Sequence, residues 1–152
     1  MLRLSKKADY ALIAMKHLAQ RADNGASSAR EIAEHYDIPV ELLAKVLQRL
    51  ARKGLLRSHQ GTHGGYHLAR PAQTMSVADV IQAIDGPVSV TACSSDLDSC
   101  DQYAKCIVRD PLWRLKDRIL AALASLTVYE LAMDTDLPVP VTMTRRAGPP
   151  ST

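Results

Sequence analysis

Val40-Glu41-Leu42-Leu43-Ala44-Lys45-Val46-Leu47-Gln48-Arg49-Leu50-Ala51-Arg52-Lys53-Gly54, residues 40–54, is the stretch on which the fold turns. Leu43, Val46, Leu47 and Leu50 recur at three- and four-residue spacing, which predicts an amphipathic helix from about Val40 to Lys53, stopped by Gly54. Its other stripe carries Lys45, Gln48, Arg49 and Arg52 at i, i+3, i+4 and i+7, so four long hydrogen-bonding side chains share one face.

Upstream, Asp37-Ile38-Pro39 predicts a turn, and Ser28-Ala29-Arg30-Glu31 has the form of a capping box ahead of Ile32, Ala33 and Tyr36. Ala8, Ala11, Leu12, Met15, Leu18 and Ala19 predict a first helix within Ser5 to Arg21, ended by Ala22-Asp23-Asn24-Gly25. Downstream, Leu55 to Ala69 alternates and contains Gly61, Gly64 and Gly65, the pattern of two short strands joined by a glycine-rich turn. A capped helix, Ser76 to Ile84, follows and ends at Asp85-Gly86-Pro87.

Helix, turn, basic helix and hairpin is the layout of a winged helix-turn-helix, in which the third helix enters the DNA major groove and the wing touches backbone or minor groove. Arg49 and Gln48 are suited to base edges, whereas Lys45 and Arg52 are suited to phosphates. A charged stripe is also what any solvated helix face shows. Here residues 41–70 hold six Lys and Arg against one acid, Glu41, and the excess runs on into the hairpin. The candidate DNA-contacting set therefore adds Ser28 and Arg30 of the second helix, Glu41 of the third, and Ser58, Gln60, Gly61, His63, Gly64 and Tyr66 of the wing. The wing glycines are expected to supply positive φ and close backbone approach to a phosphate. His59, His63 and His67 fall on one face around the turn, which fits phosphate contact or solvent exposure better than zinc.

The chain has 152 residues, 47% of them hydrophobic but 4% aromatic and none Phe, so an aliphatic core of one domain plus an appendage is expected, mainly α. Residues 1–75 carry 12 Lys and Arg against 6 Asp and Glu, and residues 76–152 carry 7 against 10. A basic half facing a polyanion and an acidic remainder with another task is the implied division. There is no apolar run long enough for a membrane and no secretory leader pattern, so a cytoplasmic protein with no membrane partner is expected. No nucleophile–base pair, phosphate loop or H-E-x-x-H motif is found, so an enzyme is not expected.

Residues 88–110 have little periodicity and hold Cys93, Cys100 and Cys106, spaced by six and five residues. A compact zinc knuckle needs closer pairs. Soft, widely spread thiolates suit an iron-sulfur cluster, which commonly takes four ligands. Spacing alone leaves a cluster, a redox thiol switch and incidental reduced thiols as open alternatives. Pro111 then opens a long helix whose Leu112, Leu115, Ile119, Leu123 and Leu126 form a stripe too apolar to stay exposed, implying a second chain. Thr127 and Glu130 cap a short last helix, and about 134–152 is expected to be a disordered tail. The expected organisation is thus a DNA-binding domain over 1–87, a cysteine loop over 88–110, dimerisation and terminal helices over 111–133, and the tail.

Over about residues 1–131 the chain resembles the Rrf-two family of winged-helix regulators, which includes iron-sulfur regulators and nitric-oxide sensors. The resemblance rests on Leu2-Arg3-Leu4-Ser5-Lys6 with Asp9-Tyr10-Ala11-Leu12, on the wing Ser58-His59-Gln60-Gly61-Thr62-His63-Gly64-Gly65-Tyr66-His67-Leu68-Ala69, on Ser76-Val77-Ala78-Asp79-Val80-Ile81, and on the three following cysteines. Within the family it is most similar to the SUF-system iron-sulfur assembly regulators. The resemblance implies a homodimer with swapped long helices, a 2Fe-2S or 4Fe-4S cluster on Cys93, Cys100 and Cys106, and a roughly palindromic double-stranded DNA operator. Asp9 matches an aspartate that ligates the cluster across the dimer in the nitric-oxide sensors. Its other reading is an ordinary acidic residue at a helix N-terminus. The chain departs from relatives at Arg109, where one member has a histidine ligand, at Gln60, where many have Arg, and at Ala44, which replaces a carboxylate used in site discrimination.

Overall fold

The computed structural model describes residues 3–90 and 100–133, so Cys93 and the expected 134–152 tail lie outside the described residues. The first helix, α1 (Lys6–Gln20), is capped by Ser5, whose hydroxyl accepts from the Ala8 N–H at 3.1 Å. Ala8, Ala11, Ala14, Met15 and Leu18 are buried along one face. Three alanines there let neighbouring helices approach closely, which suits a core without Phe.

The pair α2 (Ala29–His35) and α3 (Val40–Arg52) forms the helix-turn-helix. The predicted capping box is present: the Ser28 N–H donates to Glu31 at 2.7 Å and the Glu31 N–H to the Ser28 hydroxyl at 3.1 Å. Between the helices Asp37 takes φ of 53°, a left-handed turn that aspartate tolerates better than most residues. Leu43, Val46, Leu47 and Leu50 are buried, as their spacing predicts.

The wing is an antiparallel pair, β1 (Leu56–His59) and β2 (Gly65–Leu68), in the register Leu56 to Leu68, Arg57 to His67, Ser58 to Tyr66 and His59 to Gly65. Ser27, just ahead of α2, adds a further backbone bridge, its N–H donating to Tyr66 at 3.0 Å and its carbonyl accepting from Tyr66 at 2.8 Å. This approach explains Gly65, because a Cβ there would lie 2.4 Å from the Ser27 carbonyl atoms. Gly64 is likewise required by crowding, since a Cβ there would lie 2.7 Å from the His59 carbonyl oxygen. Of the three wing glycines, Gly61 alone takes a positive φ, 130°. The expectation that all three supply conformational freedom therefore applies to one, and two are required by backbone packing.

α4 (Val77–Asp85) is capped by Ser76 and Asp79 and buries Val80, Ile81, Ala83 and Ile84. Asp85, at its end, accepts hydrogen bonds from the backbone N–H and hydroxyl of Ser5, tying α4 to the start of α1. α5 (Arg109–Ser125) begins two residues before the expected Pro111, which sits in the first turn where its missing N–H costs nothing. None of its residues is buried, and Leu115 is 46% exposed. α6 (Val128–Met133), capped by Thr127 and Glu130 as expected, turns back onto the N-terminal module. The Val128 N–H donates to Met75 O at 2.8 Å and the Gln20 amide donates to Ala132 O at 3.0 Å, so Val128 and Ala132 complete the core beside α1. No helix among the described residues is long and apolar enough to cross a membrane.

Candidate DNA interface and cysteine site

Burial of the leucine stripe turns the other face of α3 outward, and Lys45, Gln48 and Arg52 are exposed on it. Arg49 is held differently from these three: its Nε donates to the Ala83 carbonyl of α4 at 2.9 Å. Glu41 is exposed in the first turn of α3, where a carboxylate complements the helix dipole, and Arg30 is exposed on α2.

The alternation of the wing strands gives it two chemically distinct faces. Ser58 and Tyr66, paired across the strands, join Gln48, Ala51 and Arg52 in lining a groove of about 280 Å³ between the wing and α3. On the other face, His59 and His67 lie with ring centroids 6.4 Å apart. They share a polar groove of about 710 Å³ with His63, Ser28, Glu31 and Gly64. Gln60 and Gly61 are exposed at the tip. Thus Ser58, Tyr66, Gln48 and Arg52 come together on one side of the wing, and Ser28, His63 and Gly64 on the other. The sequence places His59, His63 and His67 on one face, as found, but does not show that Ser28 and Glu31 of the α2 entry line the same groove. The signal was the two-residue alternation, but the placement of α2 beside the wing is a tertiary fact.

Cys100 and Cys106 are free thiols, each partly exposed, at the two ends of a segment that holds a single 3-10 turn, Tyr103–Lys105. The Cys100 carbonyl accepts from the Tyr103 N–H at 3.0 Å. Next to them, the Arg109 guanidinium lies 4.7 Å from the Tyr103 ring centroid and 5.7 Å from that of Trp113, donates to Asp110 at 2.7 Å and to Tyr103 O at 3.3 Å. The hydrogen bond to Asp110 is the main cause of a raised Arg109 pKa, opposed by desolvation and helped by the negative charges of Asp110, Tyr103 and Cys106 when ionised. The same bond lowers the Asp110 pKa. Trp113 Nε1 is buried with no hydrogen-bond partner among the described residues. Asp9 lies on α1, 3.9 Å from Lys6 Nζ, and among the described residues no three His, Cys, Asp or Glu side chains converge as a metal site. The donor chemistry of the two described thiols, soft, unpaired and accessible, fits an iron-sulfur group.

Buried His17 was not anticipated as a polar core residue. Its Nδ1 lies 3.0 Å from the Tyr36 hydroxyl, and its ring packs on His35 and Tyr36, while Nε2 has no partner among the described residues. Burial lowers its pKa, Arg21 and His35 add to the effect, and Glu31 partly opposes it.

With this arrangement in hand, comparison with known proteins is decisive: the model of the Rrf2 family, described as an iron-dependent transcriptional regulator, matches residues 4–134. The chain belongs to the Rrf2 family. A relative within it, the HTH-type transcriptional regulator IscR of Xenorhabdus nematophila, is 34% identical over 137 residues, covering 90% of this chain and 82% of IscR. The HTH-type transcriptional regulator Rv1287 of Mycobacterium tuberculosis is 42% identical over 88 residues, 58% of this chain. The match spans about half the length of that relative, 55%. Among solved structures, CymR, the global cysteine regulator of Bacillus subtilis, is similar with a TM-score of 0.73 and 28% identity, over 90% of this chain and 100% of CymR. The Rrf2-family assignment makes this chain a winged-helix DNA-binding transcription regulator and not an enzyme.

Proposed function

We propose that this regulator reads cellular iron-sulfur status, redox state or nitric oxide through a cluster held by Cys93, Cys100 and Cys106, and controls genes for cluster assembly. The observation that carries the reading is the pair of free, partly exposed thiols, Cys100 and Cys106, at the root of a helix with no buried residue. In this reading α5 packs against α5 of a second copy, and Asp9 of that copy supplies the remaining ligand. A bound 2Fe-2S or 4Fe-4S cluster would supply a centre that accepts electrons and reacts with nitric oxide. The protein's own part is mechanical. The cysteines stand between α4 and α5 in the chain, so in this reading loss or damage of the cluster changes the separation of the two α3 helices, whose half-sites on a palindromic operator lie roughly 34 Å apart. A coupling of about 1 to 3 kcal/mol between that segment and the operator would be a useful switch.

Anaerobically purified protein is expected to carry iron and sulfide with visible charge-transfer absorption, and Cys100→Ala to lose both. Colourless protein that fails to take up iron on reconstitution sinks the cluster reading. A second reading, a cluster-free thiol switch on the same scaffold, is favoured by the likeness to CymR, a cysteine regulator. It predicts an oxidant-dependent mass shift on a cysteine peptide in metal-free protein that still binds DNA.

A further inference from the structure

His59, His63 and His67 are the feature of the wing that major-groove reading by α3 leaves without a task. They come from different places, β1, the turn and β2, yet line one polar groove with Ser28 and Glu31 of the α2 entry. His59 and His63 are exposed and His67 is partly so, which rules out service as core side chains. No three metal-ligating side chains converge there among the described residues, so a cation site is not what the groove provides. Its chemistry is that of a switchable cation. Imidazole is the one unperturbed side chain that gains a charge between pH 8 and pH 5.

Arg57, directly opposite His67 in the register and exposed, adds a permanent positive charge to the same strand face. Glu31 is the acid lining the groove, and its carboxylate is drawn back onto the Ser28 N–H by the capping box. The neighbouring segment contributes Ala22, Asn24, Gly25 and Ala26 to the lining, none of them titratable. The groove is also continuous with the expected DNA interface, since Ser28, His63 and Gly64 line it.

We propose that the groove between the wing and the entry to α2 seats a backbone phosphate of the bound duplex, and that protonation of His59, His63 and His67 tightens this contact. The proposal rests on the DNA-binding role of the fold and adds a proton-linked, sequence-independent term to it. Each phosphate newly neutralised steepens the dependence of log affinity on log salt by about 0.9, equivalent to roughly tenfold in affinity at 0.1 M salt.

The test is fluorescence anisotropy of the full chain with a labelled mixed-sequence duplex of about 30 base pairs, titrated with salt at pH 6 and pH 8, where imidazole changes charge. The expected result is roughly tenfold tighter binding at the lower pH with a salt slope steeper by about 0.9, both lost in the His59→Gln, His63→Gln, His67→Gln triple variant. Circular dichroism at both pH values checks that each protein is folded, and the single His59→Gln and His67→Gln variants replace a triple variant that is not. Equal pH dependence in wild type and variants, or none in wild type, overturns the proposal while leaving DNA binding intact. No duplex binding at either pH overturns both.

Discussion

Arg49 Nε and the Ala83 carbonyl, 34 residues apart, form a 2.9 Å hydrogen bond that joins the basic helix α3 to the last turn of α4. Of the four long polar residues on the α3 stripe, Arg49 is therefore partly structural, and its neighbours Gln48 and Arg52 sit beside the wing. Arg49→Gln is expected to lower unfolding free energy by about 1 kcal/mol, the ordinary worth of such a bond. Arg52→Gln should leave urea midpoints unchanged but flatten the salt dependence of duplex binding by about 1, the loss of one phosphate contact. Urea titrations and anisotropy on both variants separate the two roles. A charge reversal, Arg49→Glu, should do both kinds of damage, and operator binding unchanged across salt would remove Arg49 from the interface.

Gly65 is governed by crowding rather than by dihedral freedom. An added methyl would sit 2.4 Å from the Ser27 backbone, and no side-chain rotation relieves it, because both Ser27–Tyr66 backbone hydrogen bonds hold that segment in place. Gly65→Ala should cost about 1 to 3 kcal/mol, the usual range for overpacking. It should also speed amide exchange at Ser27 and Tyr66 relative to α3. Unchanged exchange at those two amides would show that the wing accommodates the methyl elsewhere.

His17 gives the fold a pH dependence whose sign follows from its lowered pKa. Between the folded value and the ordinary histidine value the unfolded chain binds more protons than the folded one, so stability rises with pH through that interval. The contribution is complete above the ordinary value, near 6.5, and is lost as pH falls from there towards the folded value. Denaturant midpoints should fall between pH 7.5 and pH 5 in wild type and fall less in His17→Gln, which keeps a polar atom for Tyr36. Parallel curves for the two proteins would assign the pH dependence to other groups.

What the sequence made legible was local. The capping pairs Ser28–Glu31 and Thr127–Glu130, the leucine stripe of α3 and the strand alternation of the wing each depend on residues within a few positions of one another, and each is present. What stayed hidden needed contacts between distant segments. Nothing near Val128 announces that its N–H will meet Met75, or near Arg49 that it will reach Ala83, and the histidines of the wing acquire Glu31 as a neighbour only because Ser27 docks on Tyr66. Proline favours a first turn, which points to Pro111 as the start of α5, but Arg109 and Asp110 also take helical geometry ahead of it. The cysteines stood at the limit of sequence reasoning: spacing left three chemistries open, and the described pair is free but is not by itself a ligand set.

The bare face of α5 is where the homodimer reading is most directly exposed to test. None of the seventeen residues of α5 is buried among the described residues, in contrast with α4, where six of nine are, and the proposed homodimer would supply the cover that α5 lacks. Ile119 and Leu123 meet Ile81 across a shared groove, but Leu115 does not line it. Leu115→Glu therefore removes little from the single chain and places a charge in the middle of the proposed helix-to-helix seam. Burying an unpaired carboxylate there is costly enough, several kcal/mol, to dissociate a dimer of ordinary affinity. Light scattering should report a mass near 33 kDa, twice the 16.6 kDa chain, for wild type and near 16.6 kDa for the variant, with helical circular dichroism largely retained. Duplex binding should weaken as well, because one copy presents one α3 to one half-site. A wild-type mass of 16.6 kDa, or a variant that stays at twice that mass, would place the dimer contact elsewhere or nowhere on α5.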